Sequence, residues 1–113
     1  MVEFEIDERE LVIGEKTISF EAPIAETIDY GAFVVIRLQN NAETHEDWLQ
    51  NVIAFEEDGS VRWRLPEIPE YKPRPYTNIF SNDEYELGVH NSSGNLYRVN
   101  PETGEILDRE FVK

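Results

Sequence analysis

The sequence contains no cysteine and only two histidines among its 113 residues. The lack of thiols excludes disulfide frameworks, cysteine-based zinc sites, iron–sulfur clusters and a thiol nucleophile. No stretch approaches the roughly 18 apolar residues of a membrane-spanning helix, and the segment from Met1 to Asp7 lacks the basic and apolar regions of a secretion signal. These absences predict a cytoplasmic protein that folds without covalent cross-links.

Basic residues are also scarce, because 24 Asp and Glu face 10 Lys and Arg, which gives a formal net charge of −14. Nucleic-acid phosphates and anionic membrane surfaces repel such a chain, so we expect neither as a direct partner. With 40% hydrophobic residues, residues 1–113 suit a single domain that buries its own core. The expected partner is another protein, and its surface is expected to be basic.

Short segments of alternating apolar and polar residues dominate the chain, and turn residues separate them. Val2, Phe4 and Ile6, for example, alternate with the acidic residues Glu3, Glu5 and Asp7. This pattern is typical of antiparallel strands that have one face in water. The sequence therefore predicts an all-β fold of roughly nine to eleven strands.

Two segments depart from the strand pattern. Residues 41–50 predict a helix of at most two turns, in which Thr44 and Asp47 form a loose capping box. Residues 66–75 contain four prolines, which remove backbone donors and favour an extended connector. This connector separates two blade-like units of antiparallel sheet, at about residues 24–65 and 76–112.

The first of these units contains a hairpin that closes at Gly59. A period of two places Val61, Trp63 and Leu65 on one face of its second strand, where we expect Trp63 in the core. Arg62 and Arg64 are then expected on the opposite face.

An internal repeat relates the two units. Asn51–Trp63 aligns with Asn95–Leu107 when the second turn is allowed one extra residue, and each segment consists of a strand, an acidic turn ending in glycine, and a second strand. The segment Leu96–Leu107, with its Asn-Pro-Glu-Thr-Gly turn, resembles the repeat of quinoprotein-like (PQQ-type) β-propellers, and small bacterial proteins carry the same pair of hairpins.

The resemblance implies blade-like sheets and nothing about activity. A closed propeller needs about four to eight blades, whereas this chain has material for two, or three if Val2–Phe20 contributes one. We therefore expect an open or sandwich-like β domain with no cofactor, and a homodimer is one way to cover its open edges.

No catalytic set of residues can be recognised, and we expect a protein that is not an enzyme. His45 and Glu46, which lie in the insert between strands, could bind a metal or move a proton. The alternative is a solvated helix whose Trp48 and Leu49 cover the core.

Four of the ten basic residues lie within residues 62–74, where an arginine pair could hold a carboxylate or phosphate. The alternative is that these residues pair internally with the surplus acids. Together with the insert they define a candidate interaction surface: His45, Glu46, Trp48, Arg62, Arg64, Tyr71, Lys72, Arg74 and Tyr76.

The expected function is that of a small acidic, non-catalytic protein-interaction domain, because an acidic surface steers basic partners. One version is an inhibitor or immunity-type protein that covers a basic site. The alternative is a small-ligand or sugar-binding domain, or a weak hydrolase, whose pocket is lined by acids and by Trp48, Tyr71, Tyr76 and His90.

Overall fold

Eleven strands form three antiparallel sheets in a computed structural model that describes residues 2–39, 41–68 and 74–111, with only the backbone of His45 and Phe111. The first sheet contains β1 (Phe4–Asp7), β2 (Glu10–Ile13) and β3 (Lys16–Ser19). The middle sheet contains β4 (Ile24–Asp29), β5 (Phe33–Leu38), β6 (Val52–Glu56) and β7 (Val61–Arg64). The third sheet contains β8 (Tyr76–Phe80), β9 (Gly88–Asn91), β10 (Asn95–Val99) and β11 (Ile106–Phe111). The short helix α1 (His45–Leu49) follows β5, and the predicted all-β fold class is confirmed.

The middle sheet is buried on both faces. One face packs on the third sheet in a core that contains Val35, Ala54 and Trp63. The other face packs on the first sheet and contributes Ile36 and Phe55. Because neither face meets water, β5 is almost continuously apolar and does not alternate, as expected for a strand covered on both sides.

The hairpin turns of the three sheets lie along one edge of the molecule. A Cβ atom added at Gly14 would approach the Glu57 carbonyl oxygen to 3.0 Å, so the β2–β3 turn touches the β6–β7 turn. The Trp63 indole N–H donates to the Pro101 carbonyl at 2.8 Å, and Gly104 lies against the same ring. Each hairpin thus packs directly on the hairpin of the next sheet.

Asn51 joins the middle and third sheets inside the protein. Its side-chain amide donates to the carbonyls of Leu38 and Tyr76, and its oxygen accepts the Tyr76 backbone N–H at 3.0 Å. The residue is completely buried, so these bonds are shielded from water. The side chain therefore fixes the start of β8 against the end of β5.

Two β-bulges interrupt the regular pairing, and one of them corrects a sequence prediction. In the middle sheet the pairing moves from Ala54–Trp63 to Phe55–Val61 and passes over Arg62. Val61 consequently leaves the face of Trp63 and is 57% exposed, so the prediction that it shares a face with Trp63 and Leu65 was wrong. The third sheet has the same bulge at Leu107, between Arg98–Asp108 and Val99–Ile106. The structural counterpart of Trp63 is therefore Asp108.

The predicted capping box of α1 is also wrong. Thr44 does occupy the N-cap position, but its side chain makes no capping hydrogen bond. The Asp47 carboxylate instead accepts the Glu21 backbone N–H and pairs with Arg64. Tertiary contacts therefore hold this helix more than its own first turn does.

Candidate functional site

Arg64 lies at the centre of the predicted basic surface and is fully engaged within the chain. Its guanidinium pairs with Glu46 at 2.7 Å and with Asp47 at 2.8 Å. It also donates to the backbone carbonyls of Gln50 and Glu46. Arg64 therefore fastens α1 to β7, and its donors are directed at partners in this chain instead of at a ligand.

Arg62 is engaged in a similar way but points elsewhere. It pairs with Glu56 at 2.6 Å, donates to the Glu102 carbonyl and lies 4.3 Å over the centre of the Phe33 ring. The bulge turns it towards the third sheet, whereas Arg64 reaches α1. The two arginines therefore do not form a common anion site, and internal pairing with acids describes both.

The structure describes only some of the remaining members of the predicted surface. Tyr71 and Lys72 lie outside the described residues, and Arg74 is exposed. Tyr76 is completely buried, and its hydroxyl donates to the Pro66 carbonyl at 2.5 Å. Its assignment to an interaction surface was therefore wrong, because β8 directs this ring into the core.

Trp48 and His90 belong to separate parts of the molecule. Trp48 is 37% exposed on α1, while His90 lies on the outer face of the third sheet beside the Phe80 ring. The imidazole Nδ1 is 3.1 Å from the Asn78 side-chain oxygen, and the Asn78 amide donates to Glu26. Trp48 and His90 therefore do not line a common pocket with Tyr76, whose ring is buried in the core.

Carboxylates of the insert are not arranged for metal binding. Both Glu46 and Asp47 pair with Arg64, which satisfies their charge. Within residues 2–39, 41–68 and 74–111, leaving aside the His45 side chain, no three histidine or acidic residues converge as metal ligands do.

An acidic surface covers the outside of the first sheet. The register aligns Glu5 with Val12 and Thr17, and Asp7 with Glu10 and Ser19. Leu11 and Ile13, which alternate with these residues, are buried against the middle sheet. This surface, the acidic face, therefore consists of six residues: Glu5, Asp7, Glu10, Val12, Thr17 and Ser19.

No side chain that the register places on the acidic face is basic, and five of its six residues are exposed. Glu10 is partly buried and accepts the Ser19 hydroxyl at 3.2 Å. Val12 is 37% exposed and supplies the apolar part of the surface. The alternation of acids along residues 3–7 indicated an acidic strand face, but none of these residues was included in the predicted interaction surface.

A second surface feature is an open groove of about 390 Å³ on the third sheet. Arg98 and Leu107 line it together with the carboxylate residues Glu84, Glu86 and Glu102. Leu107 is 54% exposed, which is unusual for a leucine in a strand of this protein. Sequence reasoning missed the groove, because its residues come from two loops and two strands.

Among the described residues, the pKa values of two ionisable side chains are shifted by their surroundings. Burial raises the pKa of the Tyr30 hydroxyl above its ordinary value, against a smaller opposite effect of its hydrogen bond with Ser81. The charge of Glu86 also raises it. Hydrogen bonds from Ser60 lower the pKa of the exposed Asp58 carboxyl, which closes the β6–β7 turn.

Comparison with known proteins gives a family. The model of a family described as a domain of unknown function (DUF7957) matches residues 1–111. No curated protein and no solved structure matches the chain. No helix in the described part of the chain is long and apolar enough to cross a membrane.

Proposed function

The chain belongs to the DUF7957 family over nearly all of its length, and we propose that it is a non-catalytic interaction domain that binds a basic protein through the acidic face. One observation carries the proposal: a whole sheet face presents three carboxylates and, among the described side chains, no cation. Binding through this face requires a partner with a basic surface and involves no chemical step.

The positions of the arginines support this proposal. Arg37 pairs with Glu26, Arg62 with Glu56, and Arg64 with two acids of α1. Among the described residues, these three arginines pair with acids away from the acidic face and leave its own carboxylates without a cationic partner. An uncompensated acidic surface raises the association rate with a basic partner, because the field acts over about 8 Å at physiological salt.

The shape of the acidic face also suits a protein partner. A three-stranded sheet offers a continuous surface, and Val12, which lies opposite Glu5 in the register, provides an apolar contact beside the carboxylates. Interfaces commonly combine an apolar centre with a polar rim. Glu5 and Asp7 lie two residues apart on β1, which separates their Cα atoms by roughly 7 Å.

We propose further that the domain acts as an inhibitor of the immunity type. Regularly spaced carboxylates on one strand can stand where a basic site holds the phosphates of its substrate. A nucleic-acid-binding enzyme is then the kind of partner whose site the acidic face covers. Nucleic acid and this domain would compete for the same basic residues.

The test compares two variants that each lose three carboxylates. One neutralises the acidic face by Glu5→Gln, Asp7→Asn and Glu10→Gln. The control neutralises exposed acids elsewhere by Glu43→Gln, Glu57→Gln and Glu105→Gln. Each tagged full-length chain is incubated in lysate of the native host at low salt, and the bound proteins are identified after elution with high salt.

We expect a basic protein that the parent and the control retain and that the acidic-face variant loses. Purified partner should then bind the parent at least about tenfold more tightly than the acidic-face variant, because charge-assisted contacts contribute about 1.5–3 kcal/mol each. Equal retention by both variants would contradict the proposed surface. For the inhibitor version, a DNA oligonucleotide must displace the domain from the partner.

A further inference from the structure

The middle and third sheets have equivalent rows of side chains at the same place in their pairing. In the middle sheet the row is Val35, Ala54 and Trp63, and it is apolar. In the third sheet the matching row is Gly88, Arg98 and Asp108. The row that packs on the next sheet is apolar in the middle sheet, whereas the matching row of the third sheet is polar and no described sheet covers it.

On the middle sheet, a hairpin turn of the third sheet occupies this position. Trp63 donates to the Pro101 carbonyl and Arg62 to the Glu102 carbonyl, both at 2.8 Å. Gly104 approaches the Trp63 ring so closely that an added Cβ would lie 2.7 Å from it. This position, the turn seat, is therefore built from a row residue and the neighbouring bulge residue.

The groove on the third sheet overlaps the corresponding place, although Asp108, the counterpart of Trp63, lies outside its lining. Its lining includes Arg98, the counterpart of Ala54, and Leu107, the counterpart of Arg62 at the bulge. Within residues 2–39, 41–68 and 74–111 no fourth sheet supplies a turn here, and Leu107 is 54% exposed. The repeat therefore places an open turn seat at this end of the molecule.

The charges of the groove select its occupant. Three carboxylates, those of Glu84, Glu86 and Glu102, line it together with the single cation Arg98. The Arg98 guanidinium lies 4.7 Å over the Tyr85 ring, which holds it against the sheet. A cationic side chain with an apolar stem fits such a wall, because the stem can contact Leu107 while the charge meets the carboxylates.

We propose that this groove docks a hairpin turn of a partner protein and that an arginine of that turn pairs with its glutamates. A second copy is a poor occupant, because its charge of −14 repels this chain and Arg9, the arginine of its β1–β2 turn, already donates to the Glu21 carbonyl. The inference is independent of the acidic face, which lies on the other outer sheet of the molecule.

The experiment uses the full chain and two cyclic β-hairpin peptides as probes. One peptide carries arginine next to an Asn-Gly turn, and the other carries neutral citrulline at that position. Binding is followed by nuclear magnetic resonance at the Leu107 methyl groups and, for comparison, at those of Val61, which is similarly exposed. We expect saturable shifts at Leu107 alone, with the arginine peptide binding at least about tenfold more tightly.

Two variants with matched charge locate the binding. Glu84→Gln with Glu86→Gln should weaken the arginine peptide by about tenfold, whereas Glu15→Gln with Glu57→Gln should leave its affinity unchanged. Equal affinity for the two peptides, equal shifts at Val61, or no saturable shift would each overturn the proposal. The peptide comparison uses the unaltered protein, so it stands even where a variant folds poorly.

Discussion

At the scale of single residues, Asn51 is the polar side chain on which the packing of two sheets depends. Replacing Asn51 by Ala would leave the Tyr76 N–H and two carbonyls without this buried partner. Each unsatisfied buried group costs about 1–3 kcal/mol, so we expect a loss of at least about 3 kcal/mol in unfolding free energy. Urea denaturation measures it.

The control for this substitution is Asn41→Ala, because Asn41 is exposed. A change of less than about 0.5 kcal/mol is expected there. Similar losses for the two variants would show that Asn51 does not join the sheets.

Tyr30 makes stability depend on alkaline pH. Burial raises the pKa of its hydroxyl above the ordinary 10.0, so the unfolded chain releases this proton first. The unfolded state is therefore favoured as pH rises above about 10, and stability falls through that range. We expect Tyr30→Phe to lower stability at neutral pH, through the lost bond to the Glu86 carbonyl, but to flatten the alkaline decline. Melting temperatures of the parent and the variant are measured across this pH range. An equally steep alkaline decline in both proteins would show that Tyr30 does not cause it.

At the scale of elements, α1 depends on an arginine outside it. Five residues are too few for a stable isolated helix, and Arg64 supplies charged contacts to Glu46 and Asp47. We expect Arg64→Ala to cost about 1–3 kcal/mol and to raise amide exchange across α1. Arg64→Lys should recover little, because one ammonium cannot replace the forked contacts.

The exposed Arg74→Ala is the control for the helix experiment. It should leave hydrogen exchange in α1 unchanged. Protection of α1 that survives the loss of Arg64 would mean that apolar contacts hold the helix.

Two glycines allow the energetic cost of a steric clash to be distinguished from that of a left-handed backbone, and one of them lies in the turn between β10 and β11. Gly104 and Gly31 both have positive φ, but only at Gly104 would an added Cβ meet the Trp63 ring, whereas nothing lies within 4 Å at Gly31. Gly31→Ala should therefore cost about 1–2 kcal/mol, the penalty of the left-handed backbone. Gly104→Ala should cost clearly more by thermal unfolding, and equal costs would show that the turn yields easily.

The strands and turns also show which parts of the fold could be predicted from the sequence. Alternation predicted strands and the glycine turns predicted hairpins, because both signals are local. The bulges at Arg62 and Leu107 could not be predicted, since a single extra residue depends on the partner strand. The bulge at Arg62 places Val61 in solvent and directs Arg62 and Arg64 to different partners. The two arginines therefore do not form the predicted anion site.

For the site, composition indicated an acidic surface but could not locate it. The neighbours of Glu5 and Asp7 on β2 and β3 become known only from the sheet register. Tyr76 was misplaced for a similar reason, because its position beside Pro75 in the proline-rich connector concealed the start of β8. Residues 69–73, which include Tyr71 and Lys72, lie outside the described part of the chain.

At the scale of the whole molecule, the two outer faces determine whether copies associate. One carries the three carboxylates of the acidic face, and the other carries Arg98 and Asp108 where the middle sheet is apolar. Polar outer faces end a stack of repeats, and a charge of −14 repels a second copy. We expect a monomer by sedimentation at micromolar concentration, and a dimer at low salt would contradict this.

Every strand pairs only with its neighbours in sequence, which has a consequence for synthesis on the ribosome. Each ladder can close as soon as its second strand has emerged, so no early strand waits for a late partner. The middle sheet, however, exposes the apolar face of Val35 and Trp63 until β8–β10 arrive. A translational pause within residues 66–75 would therefore lengthen the time during which nascent chains can aggregate.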